Sequence, residues 1–301
     1  MLVFAYHEVG YECLDLLIQN DENVLAVITH KDDPDEEIWF RSVAGLARKY
    51  GIPVYTPESV NTPAWVEQIR AWEPDLLFSF YYRNMIKEEI LNLAPLGAFN
   101  MHGSLLPKYR GRAPINWAVL NGETETGVTL HHMVKQADAG DIVDQEKVSI
   151  GPEDTAKDVF LKAVKAARLV LERQLGAITS GTAPRRKQDE ALASYFGGRK
   201  PEDGRIDWTG AAGKIYNLIR AVTQPYPGAF TEVNGRKLII WWARPLPPSG
   251  GEPGQVLSED PFTVATGSGA LEIVNWEWED EVEEDADREM QGLEAGRILG
   301  K

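Results

Sequence analysis

The residues best suited to chemistry lie in one polar, glycine-containing stretch, residues 97–117. Asn100 and His102 are two positions apart on a predicted strand, so their side chains leave the same face. A carboxamide N–H can stabilise a developing oxyanion, and an imidazole can move protons near neutral pH. The pairing predicts acyl-type group transfer, although an Asn and a His at a strand end can also serve only to cap turns.

An aspartate in a loop is the third candidate. Asp138 lies in a glycine-containing loop between two predicted strands. A carboxylate beside His102 would raise the pKa of the imidazole and fix its tautomer. Asp141, three residues further on, competes for this role. Either aspartate could instead be a turn former.

Other chemistries lack their signatures. Ser104 has no G-x-S-x-G elbow around it, and the five histidines have no metal-ligand spacing, so no metal is expected. The loop after the first strand holds one glycine, Gly10, and not G-x-G-x-x-G, so no NAD is expected. Lys108, Arg110 and Arg112 form a short basic cluster, which either holds a phosphate or carboxylate or is a solvated loop.

Alternating strands and helices must position these residues. Apolar runs alternate with amphipathic stretches, which indicates βαβ units and a doubly wound, Rossmann-like parallel sheet. Asn100 and His102 then lie at the carboxyl edge, where such sheets bind ligands. The strands are predicted at 2–6, 24–29, 53–55, 76–80, 99–102, 128–133 and 142–148, and the helices at 12–20, 38–50, 63–72, 87–93 and 156–179.

The composition changes after the long predicted helix. Residues 186–203 are interpreted as a linker between a first domain, 1–185, and a second, 204–301. A helix at 211–222 and five short strands with glycine turns suit a smaller, OB-like β-barrel. These strands are predicted at 229–233, 237–243, 254–257, 262–266 and 271–276. Segment 277–289 holds nine carboxylates and one arginine; it is interpreted as a solvated loop, with a partner-binding patch as the alternative.

Charge and composition exclude several classes. The 301 residues include 31 basic and 46 acidic ones, a net charge of −15, which disfavours a nucleic-acid partner because such proteins carry a basic face. No apolar run is long enough for a membrane span, and the first residues lack a signal-peptide pattern. The single cysteine, Cys13, fits a reducing compartment, so a cytoplasmic location is expected.

Several motifs together resemble the folate-dependent formyltransferase family. The likeness covers nearly the whole chain and weakens after about residue 276. In the first half it rests on 100–107 (NMHGSLLP), 109–111 (YRG), 114–117 (PINW), 122–129 (GETETGVT) and the aspartate loop 138–142 (DAGDI). Residues 199–208 (RKPEDGRIDW), 220–222 (RAV) and 225–230 (PYPGAF) resemble the family's C-terminal barrel domain.

The resemblance implies a donor and a role for each site residue. The donor would be 10-formyltetrahydrofolate; His102 would transfer a proton, Asn100 would stabilise the oxyanion and Asp138 would raise the pKa of the histidine. The cofactor-binding residues would be Asn84, Met85, Ile86, Arg112, Val134, Lys135, Gln136 and Ala137. Asn84 and Gln136 occupy positions where near relatives have a histidine and an arginine. These differences should change folate affinity little if the backbone of these residues makes the contacts to the folate.

The acceptor is the finer question. Residues 78–83 (FSFYYR) and 102–114 resemble most the formyltransferase half of the bifunctional enzymes of polymyxin resistance. That likeness implies UDP-4-amino-4-deoxy-L-arabinose as the acceptor, for lipid A modification. The alternatives are another nucleotide amino sugar such as a dTDP-linked amino hexose, methionyl-tRNA, which the acidic charge disfavours, and a non-catalytic folate or nucleotide-sugar binding module.

Overall fold

The computed structural model describes residues 1–34, 36–248, 250–279 and 292–300. Contacts divide them into two compact units. Unit 1 comprises Met1–Pro114, Glu125–Ser149 and Phe160–Gly197, and unit 2 comprises Ile115–Thr124, Ile150–Val159 and the chain from Gly198 onwards. The first part of the predicted linker thus groups with unit 1, while the domain boundaries at 185 and 204 stay a prediction.

Fourteen strands and seven α-helices are formed by the described residues. In chain order they are β1 (Leu2–Ala5), α1 (His7–Gln19), β2 (Ala26–Ile28), α2 (Val43–Lys49), β3 (Val54–Tyr55), α3 (Pro63–Ala71), β4 (Leu77–Phe80), α4 (Glu88–Leu91), β5 (Ala98–His102), β6 (Arg110–Gly111), α5 (Pro114–Leu120), β7 (Glu125–His132), β8 (Ile142–Ser149), α6 (Ala156–Thr179), β9 (Tyr195–Phe196), α7 (Ala212–Val222), β10 (Ala229–Val233), β11 (Arg236–Leu246), β12 (Val256–Glu259), β13 (Phe262–Ala265) and β14 (Ala270–Trp278).

Unit 1 is built on a seven-stranded sheet of order β3-β2-β1-β4-β5-β7-β8. The first five strands are parallel, as predicted. The prediction of an all-parallel sheet is wrong for β7 and β8, which run antiparallel to their neighbours. A buried apolar strand has the same sequence pattern in either direction, so the pattern could not reveal this change.

Burial on both faces explains the central strands. All four residues of β1 and of β4 are buried. One core cluster combines Leu2, Phe4 and Leu77 with Ile90 of α4. Side-chain caps set two helix starts: Ser42 accepts from the Gly45 N–H at 3.0 Å, and Thr62 accepts from the Trp65 N–H at 3.4 Å. The first of these caps begins α2 five residues after its predicted start at residue 38.

Unit 2 contains a five-stranded antiparallel sheet of order β10-β11-β14-β13-β12. Helix α7 packs against β11, and its Ile215 and Ile219 are buried. The strand pairing of the described residues gives a sheet, and its closure into a barrel remains a prediction. Of the acidic segment 277–289, only residues 277–279 lie within the described part, where they belong to or follow the end of β14. No helix of the described residues is long and apolar enough to cross a membrane.

Candidate active site

Strand β5 carries Asn100 and His102 on one face, because they are two residues apart. The antiparallel register with β7 sets Asn100 opposite His131 and His102 opposite Thr129. Asp138 comes from the loop between β7 and β8, and its Oδ1 lies 3.5 Å from Nδ1 of His102. The structure therefore brings the three predicted catalytic residues to one place.

A second histidine, His131, belongs to the same cluster. Its Nε2 lies 3.1 Å from Nδ2 of Asn100 and 3.5 Å from Oδ1 of Asp138. Its Nδ1 lies 2.9 Å from the carbonyl oxygen of His132, to which it donates a hydrogen bond. Sequence reasoning missed this residue, since only the antiparallel register places it opposite Asn100.

The ring of His102 has a defined orientation. Its Nε2 donates to the carbonyl oxygen of Tyr109 at 2.8 Å, so in the neutral ring Nδ1 is the basic nitrogen. Burial lowers the pKa of His102; the charge of Asp138 and the Tyr109 carbonyl act in the opposite direction without reversing the shift. The expectation that Asp138 raises this pKa thus describes one contribution and not the net direction.

Asp138 is held as a carboxylate. Burial acts to raise its pKa, but the charge of His102, the neighbouring His131 and the Gly111 N–H outweigh burial and hold the pKa of Asp138 well below its usual range. The Gly111 N–H donates to Oδ2 at 2.9 Å. The competing Asp141 instead lies 3.5 Å from the guanidinium of Arg185, so the carboxylate beside His102 is that of Asp138.

The basic cluster divides into two kinds of residue. Lys108 and Arg112 are exposed, whereas Arg110 is fully buried. The guanidinium of Arg110 donates to Gln188, Glu190 and the hydroxyl of Tyr195. For Arg110, both interpretations of the cluster are therefore wrong: it is neither solvated nor free to hold an anionic ligand.

The first group of predicted folate residues follows β4. Asn84 donates from Nδ2 to the carbonyl oxygen of Glu58 at 3.2 Å, and Met85 is 58% exposed. The side chain of Ile86 belongs to the core, so only its backbone could face a ligand. Asn61, which sequence reasoning missed, fixes this loop by donating to the Met85 carbonyl at 2.7 Å and accepting from the Lys87 N–H at 2.9 Å.

The second group lies in the loop that delivers Asp138. Val134, Lys135, Gln136 and Ala137 are all exposed. Nε2 of Gln136 donates to the hydroxyl of Tyr195 at 2.7 Å. The backbone N–H of the exposed Arg112 donates to the Phe196 carbonyl at 3.0 Å.

The site offers an amide donor, two imidazoles and a carboxylate, which suit direct group transfer. Ser104 is close by, but its hydroxyl donates to the carbonyl oxygen of Lys108 at 2.7 Å, which makes it a poor nucleophile. Cys13 is buried, and burial raises the pKa of its thiol. Within the described residues, no cluster of three or more His, Cys, Asp or Glu side chains could hold a metal ion.

Comparison with known proteins finds two matching family profiles. The profile described as "Formyl transferase" matches residues 1–175, and that described as "Formyl transferase, C-terminal domain" matches residues 199–294.

Three solved structures illustrate the likeness in fold. An N-formyltransferase from Helicobacter canadensis, in complex with folinic acid and dTDP-3-aminofucose, is 23% identical over 90% of this chain and 98% of its own, with a TM-score of 0.67. WlaRD, a sugar 3N-formyl transferase in the presence of dTDP and 5-N-formyl-THF, is 22% identical over 93% and 98%, with a TM-score of 0.68. HypX from Aquifex aeolicus, in complex with tetrahydrofolic acid, is 18% identical over 99% and 48%, with a TM-score of 0.65.

Proposed function

This chain belongs to the formyl transferase family, and we propose that it transfers the formyl group of 10-formyltetrahydrofolate to the amine of a nucleotide-linked amino sugar. The observation that carries the proposal is the cluster of an amide donor, two imidazoles and a carboxylate: Asp138 lies against His102 and His131, and Asn100 lies against His131. The predicted enzyme class is confirmed by the family match.

A folate donor is supported by the ligands of similar structures. The three solved structures named above were determined with folinic acid, 5-N-formyl-THF and tetrahydrofolic acid. In this chain the donor would lie on the loop of Asn84, Met85 and Ile86 and on the exposed residues 134–137, with Arg112 beside them. The exposed apolar side chains of Met85 and Val134 provide surface for a flat ring.

The acceptor we propose first is a dTDP-linked amino sugar. Two of the similar structures carry dTDP or a dTDP-amino sugar; one is named an N-formyltransferase and the other a sugar 3N-formyl transferase. UDP-4-amino-4-deoxy-L-arabinose, the acceptor implied by the sequence motifs, is the second candidate. The two share the reacting group, an amine on a nucleotide-linked sugar.

The chemistry needs no covalent enzyme intermediate. The neutral amine of the sugar attacks the formyl carbon, and a C–N bond forms while the carbonyl oxygen becomes an oxyanion. The amide N–H of Asn100 that does not face His131 stabilises this oxyanion. Nδ1 of His102 accepts a proton from the sugar amine. It then donates this proton to the folate nitrogen as the bond between that nitrogen and the formyl carbon breaks. Asp138 stabilises the imidazolium formed in between.

The test is a formyl-transfer assay with a panel of acceptors. The full chain and 10-formyltetrahydrofolate are offered dTDP-3-amino and dTDP-4-amino hexoses, UDP-4-amino-4-deoxy-L-arabinose and methionyl-tRNA, and tetrahydrofolate release is followed. Turnover with a dTDP-amino sugar is the expected result. Turnover with the arabinose nucleotide alone would make UDP-4-amino-4-deoxy-L-arabinose the acceptor in place of a dTDP-amino sugar. Turnover with the tRNA would overturn the proposal of a sugar acceptor. Folate binding without any turnover would favour a non-catalytic binding module.

A further inference from the structure

A buried arginine, Arg110, directly precedes Gly111, whose N–H contacts Asp138. Arg110 is 0% exposed, although an arginine is seldom fully buried unless its charge is paired. It donates to Glu190 at 2.9 and 2.7 Å and to Oε1 of Gln188 at 3.1 and 2.7 Å. These partners come from a segment about 80 residues further along the chain, whose Tyr195–Phe196 pair in parallel with Arg110–Gly111.

Gln188 links this arginine to the backbone around Asp138. Because Arg110 donates to Oε1 of Gln188, the amide group must direct its N–H bonds the other way. There Nε2 of Gln188 donates to the carbonyl oxygen of Asp138 at 2.7 Å and to that of Gly140 at 2.8 Å. The orientation of this amide is therefore fixed by hydrogen bonds on both sides.

The carboxylate of Asp138 is held from the neighbouring residue of the same short strand. The Gly111 N–H donates to Oδ2 of Asp138 at 2.9 Å. Asp138 itself has φ of +56°, a left-handed conformation that costs a non-glycine residue free energy. We call Arg110, Gly111, Gln188, Glu190 and Tyr195 the brace, since together they contact both the backbone and the side chain of this aspartate.

We propose that Arg110 and Gln188 are positioning residues for the formyl-transfer reaction: through the brace they hold the left-handed Asp138 with its carboxylate against His102 and His131. The inference rests on the proposed function in one respect, the role given to Asp138. It also assigns residues 188–195, part of the predicted linker, to the catalytic apparatus. Neither Arg110 nor Gln188 is placed in contact with a substrate.

The direct test replaces Gln188 by methionine, which has similar length and no charge but cannot donate to the two carbonyl oxygens. In the described part of the chain, the carboxylate of Asp138 faces His102, and the ring of His131 faces the same carboxylate. Moving the Asp138 carboxylate away removes a charge that favours the imidazolium. The Gln188→Met variant should therefore show a lower pKa of His102, shifted in the same direction as in Asp138→Asn and by no more.

The matched control is Gln19→Met. Gln19 on α1 is more exposed than Gln188 but also bridges an arginine and an acceptor: its Oε1 accepts from Arg168 at 2.6 Å and its Nε2 donates to Asp15 at 2.6 Å. It belongs to unit 1 but makes no contact with the Asp138 loop in this structure. The control should leave the pKa of His102 and the turnover unchanged.

The readout is the imidazole titration of His102 by NMR in the full chain, with the resonance assigned from a His102→Asn variant. It does not require an active enzyme, so it decides about the brace even if no acceptor in the panel is formylated. Where turnover is seen, kcat of Gln188→Met should fall by about a hundredfold, as for a catalytic group displaced by about an ångström, with KM for the folate unchanged.

A second variant guards against a loss of folding. Gln188→Asn keeps a polar amide but is one methylene too short to bridge Arg110 and the loop carbonyls, and it should lower the pKa of His102 as well. An unshifted His102 titration in folded Gln188→Met, or in Gln188→Asn if the methionine variant does not fold, would overturn the proposal. So would an equal shift in the Gln19→Met control.

Discussion

At the scale of single residues, the site depends on which way each polar hydrogen points. His131 donates from Nδ1 to its neighbour's carbonyl, so its Nε2 accepts one N–H of Asn100. The other N–H of Asn100 is then left for the oxyanion of the proposed reaction. The Tyr109 carbonyl likewise accepts the Nε2–H of His102 and leaves Nδ1 for the proposed proton transfer.

The His131→Ala variant should show whether His131 orients the amide of Asn100 or contributes to folate binding. Without its partner, the amide of Asn100 is free to rotate, and kcat should fall by about tenfold, the value of one or two ordinary hydrogen bonds. KM for the folate should stay unchanged. His132→Gln is the control, because the side chain of His132 reaches the Pro184 carbonyl instead of the site. Equal turnover of His131→Ala and the wild type would show that His131 does not orient Asn100 for the reaction.

Asp138→Asn tests the electrostatic link between the aspartate and the histidine. The charge of Asp138 acts to raise the pKa of His102 against the larger effect of burial. Its removal should lower that pKa further, so the acid limb of the pH–rate profile should move to lower pH as kcat falls. A profile that keeps its midpoint in Asp138→Asn would contradict the coupling.

At the scale of elements, the candidate site depends on the change from parallel to antiparallel strand pairing after β5. It sets His131 beside Asn100 and leaves a loop between β7 and β8 from which Asp138 reaches both histidines. The apolar patterns predicted that these strands exist, but not their direction. Prediction of Asn100 and His102 on one face needed only their spacing along β5.

The pairing of the two-residue strands β6 and β9 requires a glycine at position 111. Gly111 has φ of +102°, and a Cβ there would lie 2.2 Å from the Phe196 carbonyl oxygen. Gly111→Ala should therefore cost more than the roughly 1–2 kcal/mol of left-handed strain alone, and it should reduce turnover by moving the N–H that holds Asp138. Chemical denaturation and the formyl-transfer assay measure the two effects.

Gly51→Ala is the matched control for that experiment. Gly51 also has a positive φ, +70°, but an added Cβ would meet nothing within 4 Å. It should show the strain without the clash and keep full turnover. If both variants lost the same stability and kept the same activity, the close approach to Phe196 would not matter.

At the scale of the whole molecule, two half-buried histidines, His7 and His30, make the stability depend on pH. Burial, together with the charge of Arg83, lowers the pKa of His7 to about 3, and burial lowers that of His30 to about 4. Both are neutral in the folded chain near pH 5, whereas the unfolded chain takes up protons below about pH 6.5. Because stability falls wherever the unfolded state binds more protons, it should decline from pH 7 to pH 5.

His7→Asn isolates one part of that decline. Asparagine tolerates the left-handed φ of +65° at this position and does not titrate. Whatever the variant's stability at pH 7, its loss between pH 7 and pH 5 should be smaller than that of the wild type by about 2 kcal/mol. Urea denaturation at the two pH values measures the difference. An unchanged loss would show that His7 is not kept neutral by folding.

The sequence predicts features that depend on residues close together along the chain, and it does not predict contacts between distant residues. The parallel core, the long helix Ala156–Thr179 and the residues Asn100, His102 and Asp138 follow from local patterns and motifs. The brace does not, because Arg110 meets Gln188 and Tyr195 across 78 and 85 positions, and a polar, glycine-containing segment has the pattern of a linker. His131 was hidden for the same reason, since its role depends on the strand direction.

Formyl transfer from 10-formyltetrahydrofolate to a dTDP-amino sugar should be measured for the wild type and for His102→Ala, with the released tetrahydrofolate and the formylated sugar quantified in the same reaction. We expect one formylated sugar for each tetrahydrofolate released, and a loss of at least about a hundredfold in kcat for the variant with its fold retained. Tetrahydrofolate released without formylated sugar, or turnover that survives the loss of His102, would contradict this expectation.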